Sequence, residues 1–193
     1  MIVKSMPYKD PNFRRLYAYI QRKAVEGCCV VRNLPFADSQ DGELILQSFE
    51  ENVSLLPKRK NGNLFYHEII SIQPKNGVSV ERHLQALHDL THYYLDQRAG
   101  LHPAFGRVHY EPGNMHIHLM VTANELYSTK RHRLQKQRFS MIQRKCERWF
   151  NATFPELEQD TVYNREAPGR RPSLRESERA KRTKEPSKKE LLT

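Results

Sequence analysis

The segment from residue 109 to residue 119 constrains the fold more than any other part of the chain. It reads His-Tyr-Glu-Pro-Gly-Asn-Met-His-Ile-His-Leu. Side chains two residues apart on a β-strand point to the same face, so His116 and His118 project together. Residues 105–110 predict a preceding strand, and Glu-Pro-Gly-Asn predicts the turn of an antiparallel hairpin. His109 would then lie beside the pair, and the hairpin predicts a three-histidine site for a divalent cation.

Glu111 lies close enough in sequence to His109 for its carboxylate to accept a hydrogen bond from one imidazole, as partners of metal-bound histidines often do. Ligand type alone does not choose the metal, since three imidazoles also suit zinc or copper. The alternative is a hairpin that carries histidines without a metal, in a chain that has nine of them. The third histidine and the turn favour the metal site.

Length and charge limit the class of protein. A chain of 193 residues has room for one α/β domain but not for two large ones. Lys and Arg number 32 against 22 Asp and Glu, and a net charge of +10 with a pI near 9.6 suits a polyanionic partner such as nucleic acid. Residues 128–148 hold eight Lys or Arg and one Glu. This one-sided block predicts phosphate contacts, with Arg131, Arg133, Lys136 and Arg138 as candidates.

Cysteine usage and hydropathy predict the compartment. The chain has three cysteines, of which Cys28 and Cys29 are adjacent and poorly placed for a disulfide framework. No apolar run approaches the roughly 20 residues that a membrane span needs, and residues 1–13 contain no signal-peptide core. We therefore expect a cytoplasmic protein without membrane insertion.

Hydrophobic periodicity predicts strands and helices in one α/β (α+β) domain. We expect this domain to cover residues 1–160, followed by a basic, flexible tail over 161–193 that has few apolar groups. Further strands are predicted near residue 2, over 28–34 and over 64–73. Helices are predicted from residue 13 to about 27, over 43–56, from 80 to about 99, and over 134–150. His83, His88 and His92 are expected on the solvent side of the third helix.

Two residues stand out beside these elements. Tyr19 lies off the apolar stripe of the first helix, which predicts that its ring is exposed or lines a groove. Alternation along the strand of residues 64–73 places His67 and Ser71 on one face and Glu68 on the other.

Together, three segments resemble the motifs of relaxases, the HUH endonucleases of plasmid mobilization, here of the MobA-like type with an N-terminal catalytic tyrosine. Residues 16–20 are similar to the first motif, with Tyr19 at the nucleophile position. Residues 66–71 are similar to the second, whose serine, here Ser71, contacts DNA next to the nick. Residues 108–118 match the third, with the three histidines as metal ligands. The family often has Asp where this chain has Glu111.

This resemblance implies an HUH palm-like fold, with a central, mainly antiparallel sheet flanked by helices. It also implies that residues 1–160 form the catalytic domain of a metal-dependent nuclease that is specific for site and strand. Such an enzyme nicks the origin of transfer (oriT) through a 5′-phosphotyrosyl intermediate at Tyr19, with Glu111 orienting a ligand, and later religates the strand. The implied cofactor is Mg²⁺ or Mn²⁺. The implied partners are single-stranded or extruded oriT DNA, an accessory nicking protein and a type IV coupling protein.

Two alternatives remain at the level of the sequence. An HUH replication initiator or transposase would use a tyrosine that follows the histidine pair, and Tyr127 and Tyr163 do follow it. A non-catalytic basic nucleic-acid-binding protein would use the histidines only for structure.

Overall fold

The described part of the chain folds into five strands and four helices. The computed structural model describes residues 1–34 and 41–164. Along the chain these elements are β1 (Ile2–Tyr8), α1 (Phe13–Gln21), β2 (Ala24–Arg32), α2 (Gly42–Ser54), β3 (Phe65–Ile72), α3 (Val80–Ala99), β4 (Ala104–Glu111), β5 (Asn114–Thr122) and α4 (Lys136–Thr153), followed by a 3₁₀ turn (Pro155–Leu157).

The strands form one sheet in the order β1-β3-β5-β4-β2, with every neighbouring pair antiparallel. The predicted α+β fold with a mainly antiparallel sheet is therefore confirmed. The predicted hairpin is β4-β5, which pairs His109 with His116. Gly113 in its turn has φ +76°. Proline before a glycine in this conformation is the signature of a type II turn, so the Pro-Gly sequence sets the hairpin register.

The two faces of the sheet are covered by different helices. Alternation on β5 puts Ile117 and Leu119 in the apolar cluster with α3 and α4, whereas Met120 packs with α1 and α2 on the other face. Burying each such side chain stabilises the fold by about 1.5–3 kcal/mol. The cluster under α1 and α2 does not reach His116 and His118, which line an open cavity on that face. The histidines thus occupy the part of the sheet that these helices leave accessible.

Helix α1 ends earlier than the sequence predicts. Periodicity extended it to about residue 27, but the helix ends at Gln21. Lys23 adopts φ +56°, which a continuing helix cannot contain, and Ala24 already pairs with His109 in the sheet. Pairing with β4 therefore decides where α1 ends, although the helical spacing of apolar residues continues for about one more turn.

His83 also differs from its predicted position on the solvent side of α3. Only 2% of its surface is exposed. Its Nε2 accepts a hydrogen bond of 2.8 Å from the Lys75 backbone N–H, and its Nδ1 lies 2.7 Å from the Ser79 carbonyl oxygen. The chain before α3 folds back over this ring, so His83 holds the start of the helix. His88 is exposed and His92 is half-buried, closer to the prediction.

A buried carboxylate joins β1, β3 and α3. Glu68 accepts hydrogen bonds from Ser5 Oγ at 2.8 Å, from the Tyr94 hydroxyl at 2.7 Å and from Arg98 Nε at 3.0 Å. The side chains of Arg98 and Glu68 are 2% and 0% exposed. Because the charge is paired and hydrogen-bonded, its burial is tolerated.

The end of the described chain packs on α4. Glu147 accepts hydrogen bonds from the backbone N–H groups of Val162, Tyr163 and Asn164. Residues 165–193 lie outside the described part, so the predicted domain boundary at residue 160 and the flexible tail stay predictions. None of the helices in residues 1–34 and 41–164 is long and apolar enough to cross a membrane.

Candidate active site

His109, His116 and His118 form the centre of the site. Each offers one ring nitrogen, and these three nitrogens all lie within 4.8 Å of one another. All three residues are buried. The cluster follows from the hairpin, because His109 pairs with His116 across the two strands and His118 is two residues further along the same face. Three neutral imidazoles at this spacing fit one divalent cation, as the sequence predicts.

A hydrogen bond at one nitrogen fixes each ring. His109 Nε2 donates to the Ile20 carbonyl oxygen at 2.8 Å, His118 Nδ1 lies 2.9 Å from Nε2 of His67, and His116 Nδ1 lies 3.1 Å from the side-chain nitrogen of Asn114. Each contact occupies one ring nitrogen and leaves the second for coordination. Such partners orient metal ligands and set their tautomers.

The sequence placed His67 on the face of β3 that carries Ser71 but assigned it no role. The register puts Ile69 opposite His118, so His67 lies diagonally across from that ligand. The signal in the sequence was the alternation of β3. The sequence does not show which strand pairs with β3. The sheet order places β5 there, and His67 therefore meets His118.

Asn114, the first residue of β5, links two predicted residues. Its side-chain oxygen accepts a hydrogen bond of 2.5 Å from Ser71 Oγ, and its nitrogen contacts His116. Ser71 thus lies one side chain away from His116, one of the predicted metal ligands. It lines the same open cavity of about 590 Å³ as Tyr19 and Glu111.

Glu111 is exposed at the rim of this cavity. Within the described residues, its carboxylate makes no hydrogen bond to any of the three rings. The orienting contacts come instead from Ile20, His67 and Asn114. The carboxylate still acts on His116 through its charge, opposing the fall in the pKa of that ring.

Burial lowers the pKa of His67, His116 and His118 and so favours their neutral forms. Burial lowers the pKa of His118 to about 3 and that of His67 to about 4. The pKa of His116 is also lowered, by burial first and then by His109. A neutral imidazole has the free lone pair that coordination requires, so the cluster favours metal binding over proton binding.

Tyr19 projects from α1 over the histidines with 46% of its surface exposed. Its ring meets His118 edge-on, with centroids 5.0 Å apart, and lies 5.8 Å from His67 and 6.5 Å from His109. The side chain separates the 590 Å³ cavity from a second one of about 400 Å³. It is therefore both accessible and next to the predicted metal.

The two rival tyrosines lie elsewhere. Tyr127 is 72% exposed, and its backbone N–H donates to Asn52 beyond the end of β5. The Tyr163 hydroxyl accepts a hydrogen bond from the Val3 N–H and donates one to the Val3 carbonyl oxygen. Within the described chain, neither ring contacts a histidine of the cluster.

The four predicted DNA-contacting cations are not beside the cluster. Arg131 donates to the Asn63 carbonyl oxygen at 2.8 Å and lines a groove of about 710 Å³ with Lys9 and the loop of residues 57–62. Arg133 and Arg138 line a small cavity at the end of α3, together with Ala99 and Gly100. Lys136 is the first residue of α4. Strand β5 rises about 3.3 Å per residue, so its end lies roughly 13 Å beyond His118.

Solved structures share this architecture. The crystal structure of the MobM relaxase domain bound to manganese and to plasmid pMV158 oriT DNA is similar over 93% of this chain and 97% of that one, with a TM-score of 0.59 and 13% identity. The MobM relaxase domain bound to a 26-nucleotide pMV158 oriT DNA is similar over 91% of this chain and 98% of that one, with a TM-score of 0.57 and 16% identity. At these identities the likeness concerns the fold.

The sequence itself gives the family. No curated protein matches the chain by sequence. The sequence model of the relaxase nuclease domain of MobA/VirD2-like proteins matches residues 19–151, more than half of the chain and all three histidines of the cluster. The chain therefore belongs to the MobA/VirD2-like relaxases, which are metal-dependent, DNA-nicking tyrosine transesterases.

Proposed function

We propose that Tyr19 is the nucleophile of this relaxase and that it cleaves one strand of an oriT sequence next to His109, His116 and His118. The observation that carries this assignment is the edge-on contact of the Tyr19 ring with His118, between two open cavities. Single-stranded or extruded DNA can pass through these cavities, with the scissile phosphate between the tyrosine and the histidine cluster.

The reaction is a phosphoryl transfer to the phenol. The Tyr19 oxygen forms a bond to phosphorus and gives up its proton, while the bond from phosphorus to the 3′ oxygen breaks and that oxygen leaves as a hydroxyl. The product is a 5′-phosphotyrosyl DNA. It retains the energy of the phosphodiester, so a 3′ hydroxyl can reverse the step and reseal a strand without ATP.

The residues of the chain prepare this step. A bound Mg²⁺ or Mn²⁺ supplies charge stabilisation at the non-bridging phosphate oxygens. His67, Asn114 and the Ile20 carbonyl hold the three ligand rings in place. Ser71, which faces the same cavity as Tyr19, contacts the DNA beside the nick. Glu111 adds negative charge at the rim of the metal site.

The basic residues Arg131, Arg133, Lys136 and Arg138 bind the DNA backbone away from the nick. Their position beyond the end of β5 supports this assignment. The fuller biological role that we propose is conjugative mobilization from the cytoplasm, with the catalytic domain over residues 1–160. An accessory nicking protein and a type IV coupling protein would complete the system.

The Tyr19→Phe variant tests the proposal. It removes the nucleophilic oxygen but keeps the ring, so the fold and metal binding are expected to remain, while nicking of a single-stranded oriT oligonucleotide falls by roughly 1,000-fold or more. The measurement is gel analysis of cleavage with Mn²⁺, combined with peptide mapping of the covalent adduct. Tyr127→Phe is the matched control and should nick normally. An adduct at Tyr127 or Tyr163, or undiminished nicking by Tyr19→Phe, would refute the assignment.

A further inference from the structure

A second group of metal-ligating side chains lies outside the nicking site. His102, Glu125 and His132 each offer one ligand atom, and these atoms all lie within 4.8 Å of one another. His102 is buried between α3 and β4, and the other two are half-buried in the connection from β5 to α4. Two imidazoles and a carboxylate are a ligand set that zinc prefers.

The His102 ring is held as a metal ligand would be. Its Nδ1 donates a hydrogen bond of 2.8 Å to the Thr122 carbonyl oxygen. This contact fixes the tautomer, so Nε2 carries the lone pair that a metal would need. The His132 ring meets the His102 ring edge-on, with centroids 5.2 Å apart.

Backbone hydrogen bonds bring the three segments together before any ion binds. The His132 N–H donates to the Ala123 carbonyl oxygen at 2.7 Å, which places His132 beside the end of β5. The Leu126 N–H donates to the Leu101 carbonyl oxygen at 2.9 Å, which places Glu125 beside His102. Main-chain hydrogen bonds therefore bring the three side chains together. An ion that binds them would not have to fold this part of the chain.

The charges around this group of side chains favour a cation over an anion as its ligand. Arg133 and Arg138 line the same small cavity, of about 150 Å³, and both are exposed to solvent, which screens them. The charge of Arg98 is already paired with Glu68. The Glu125 carboxylate, within 4.8 Å of both imidazoles, would repel a phosphate at this point. A divalent cation is the ligand that this arrangement fits.

We infer that His102, Glu125 and His132 form a second metal site, separate from the nicking site, that takes Zn²⁺ and holds the connection between β5 and α4. This connection, residues 123–135, has a single bridge pair, Asn124 with Arg131, in place of regular structure. It also carries Arg131 and Arg133. An ion that ties it to the start of β4 sets the position of these cations relative to the sheet.

Zinc binding by the metal-free full-length protein tests the inference. The double variant His102→Ala/His132→Ala should lose one equivalent of Zn²⁺ relative to the wild type, measured by competition with a chromogenic chelator. The control His88→Ala removes one exposed histidine of α3, and it should lose none. Unchanged stoichiometry in the first variant, or the same loss in the second, would overturn the site.

Glu125→Gln gives a readout that keeps both rings, should the double variant fail to fold. Its Zn²⁺ affinity at this site should be roughly 10-fold or more weaker than that of the wild type. Hydrogen exchange provides a measure separate from nicking, since Zn²⁺ should slow exchange of the amides in residues 123–135 of the wild type more than in Glu125→Gln. Equal affinity, or protection that does not depend on Zn²⁺, would contradict the proposal.

Discussion

Protonation of two buried side chains, His67 and His118, affects the stability of the fold. Burial holds the pKa of both rings, near 4 and 3, below the ordinary value of 6.5. Below pH 6.5 the unfolded chain therefore takes up protons that the folded chain excludes. Their contribution to stability is complete above pH 6.5 and is lost as the pH falls toward 4.

We predict that His67→Gln makes the metal-free protein less sensitive to acid. In the variant, the unfolded chain can no longer take up a proton at position 67. The free energy of unfolding should therefore decrease less steeply between pH 6.5 and 5, and the slope should differ by about the amount that one bound proton contributes. Denaturant unfolding in the presence of a chelator measures this slope. His88→Gln, at an exposed position of α3, should leave it unchanged. A slope for His67→Gln equal to that of the wild type would contradict the prediction.

At the scale of the elements, the pairing of β4 with β5 decides the geometry of the histidine cluster. Gly106 lies opposite Leu119 in this pair, and a Cβ atom there would come within 2.6 Å of the His118 carbonyl oxygen and 2.5 Å of Leu119 Cδ2. The first contact is with backbone, so relief requires the two strands to move apart.

Gly106→Ala is therefore expected to destabilise the hairpin beside a metal ligand. We expect the free energy of unfolding to fall by about 1–3 kcal/mol, in the range for overpacked cores, and the affinity for Mn²⁺ to fall with it. Thermal unfolding and Mn²⁺ titration are the measurements. Gly100→Ala is the matched control, since a Cβ atom there meets nothing within 4 Å. If both variants behave alike, the close approach of the strands has no energetic role.

At the scale of the whole molecule, the buried Glu68 ties the edge strand β1 and the helix α3 to β3. Removing Arg98 would leave an unpaired charge in the core, and breaking a buried pair in this way typically costs about 3–5 kcal/mol. The contacts involved join residues far apart in sequence, so the loss should affect cooperative unfolding of the entire domain.

Arg98→Met should thus lower the free energy of unfolding by about 3–5 kcal/mol, measured by denaturant titration. Glu68→Gln/Arg98→Met should recover part of the loss, because neither charge then remains in the core. Arg14→Met breaks the exposed pair of Arg14 with Glu43 and should change stability little. Equal effects of Arg98→Met and Arg14→Met would show that the buried pair does not hold the layers together.

The amino-acid sequence predicts the fold class, the hairpin and the relaxase family, and the fold and family predictions are confirmed. The set of three histidine ligands, which it also predicts, stays a prediction. These features are local. The ligands His116 and His118 share a face because strands have a period of two, and the Pro-Gly turn brings His109 beside them. The nucleophile Tyr19 and the contacts of Ser71 and Glu111 stay predictions, for which the structure supplies the geometry.

The surroundings of those residues depend on how the strands and helices pack in three dimensions. The order β1-β3-β5-β4-β2 places β3 next to β5, and this neighbourhood makes His67 a partner of His118. The fold also brings Asn114 and the Ile20 carbonyl against His116 and His109. The early end of α1 also depends on strand pairing, because Ala24 pairs with His109 in the sheet. Periodicity reports which face a side chain takes, whereas the choice of neighbour depends on pairing between segments distant in sequence.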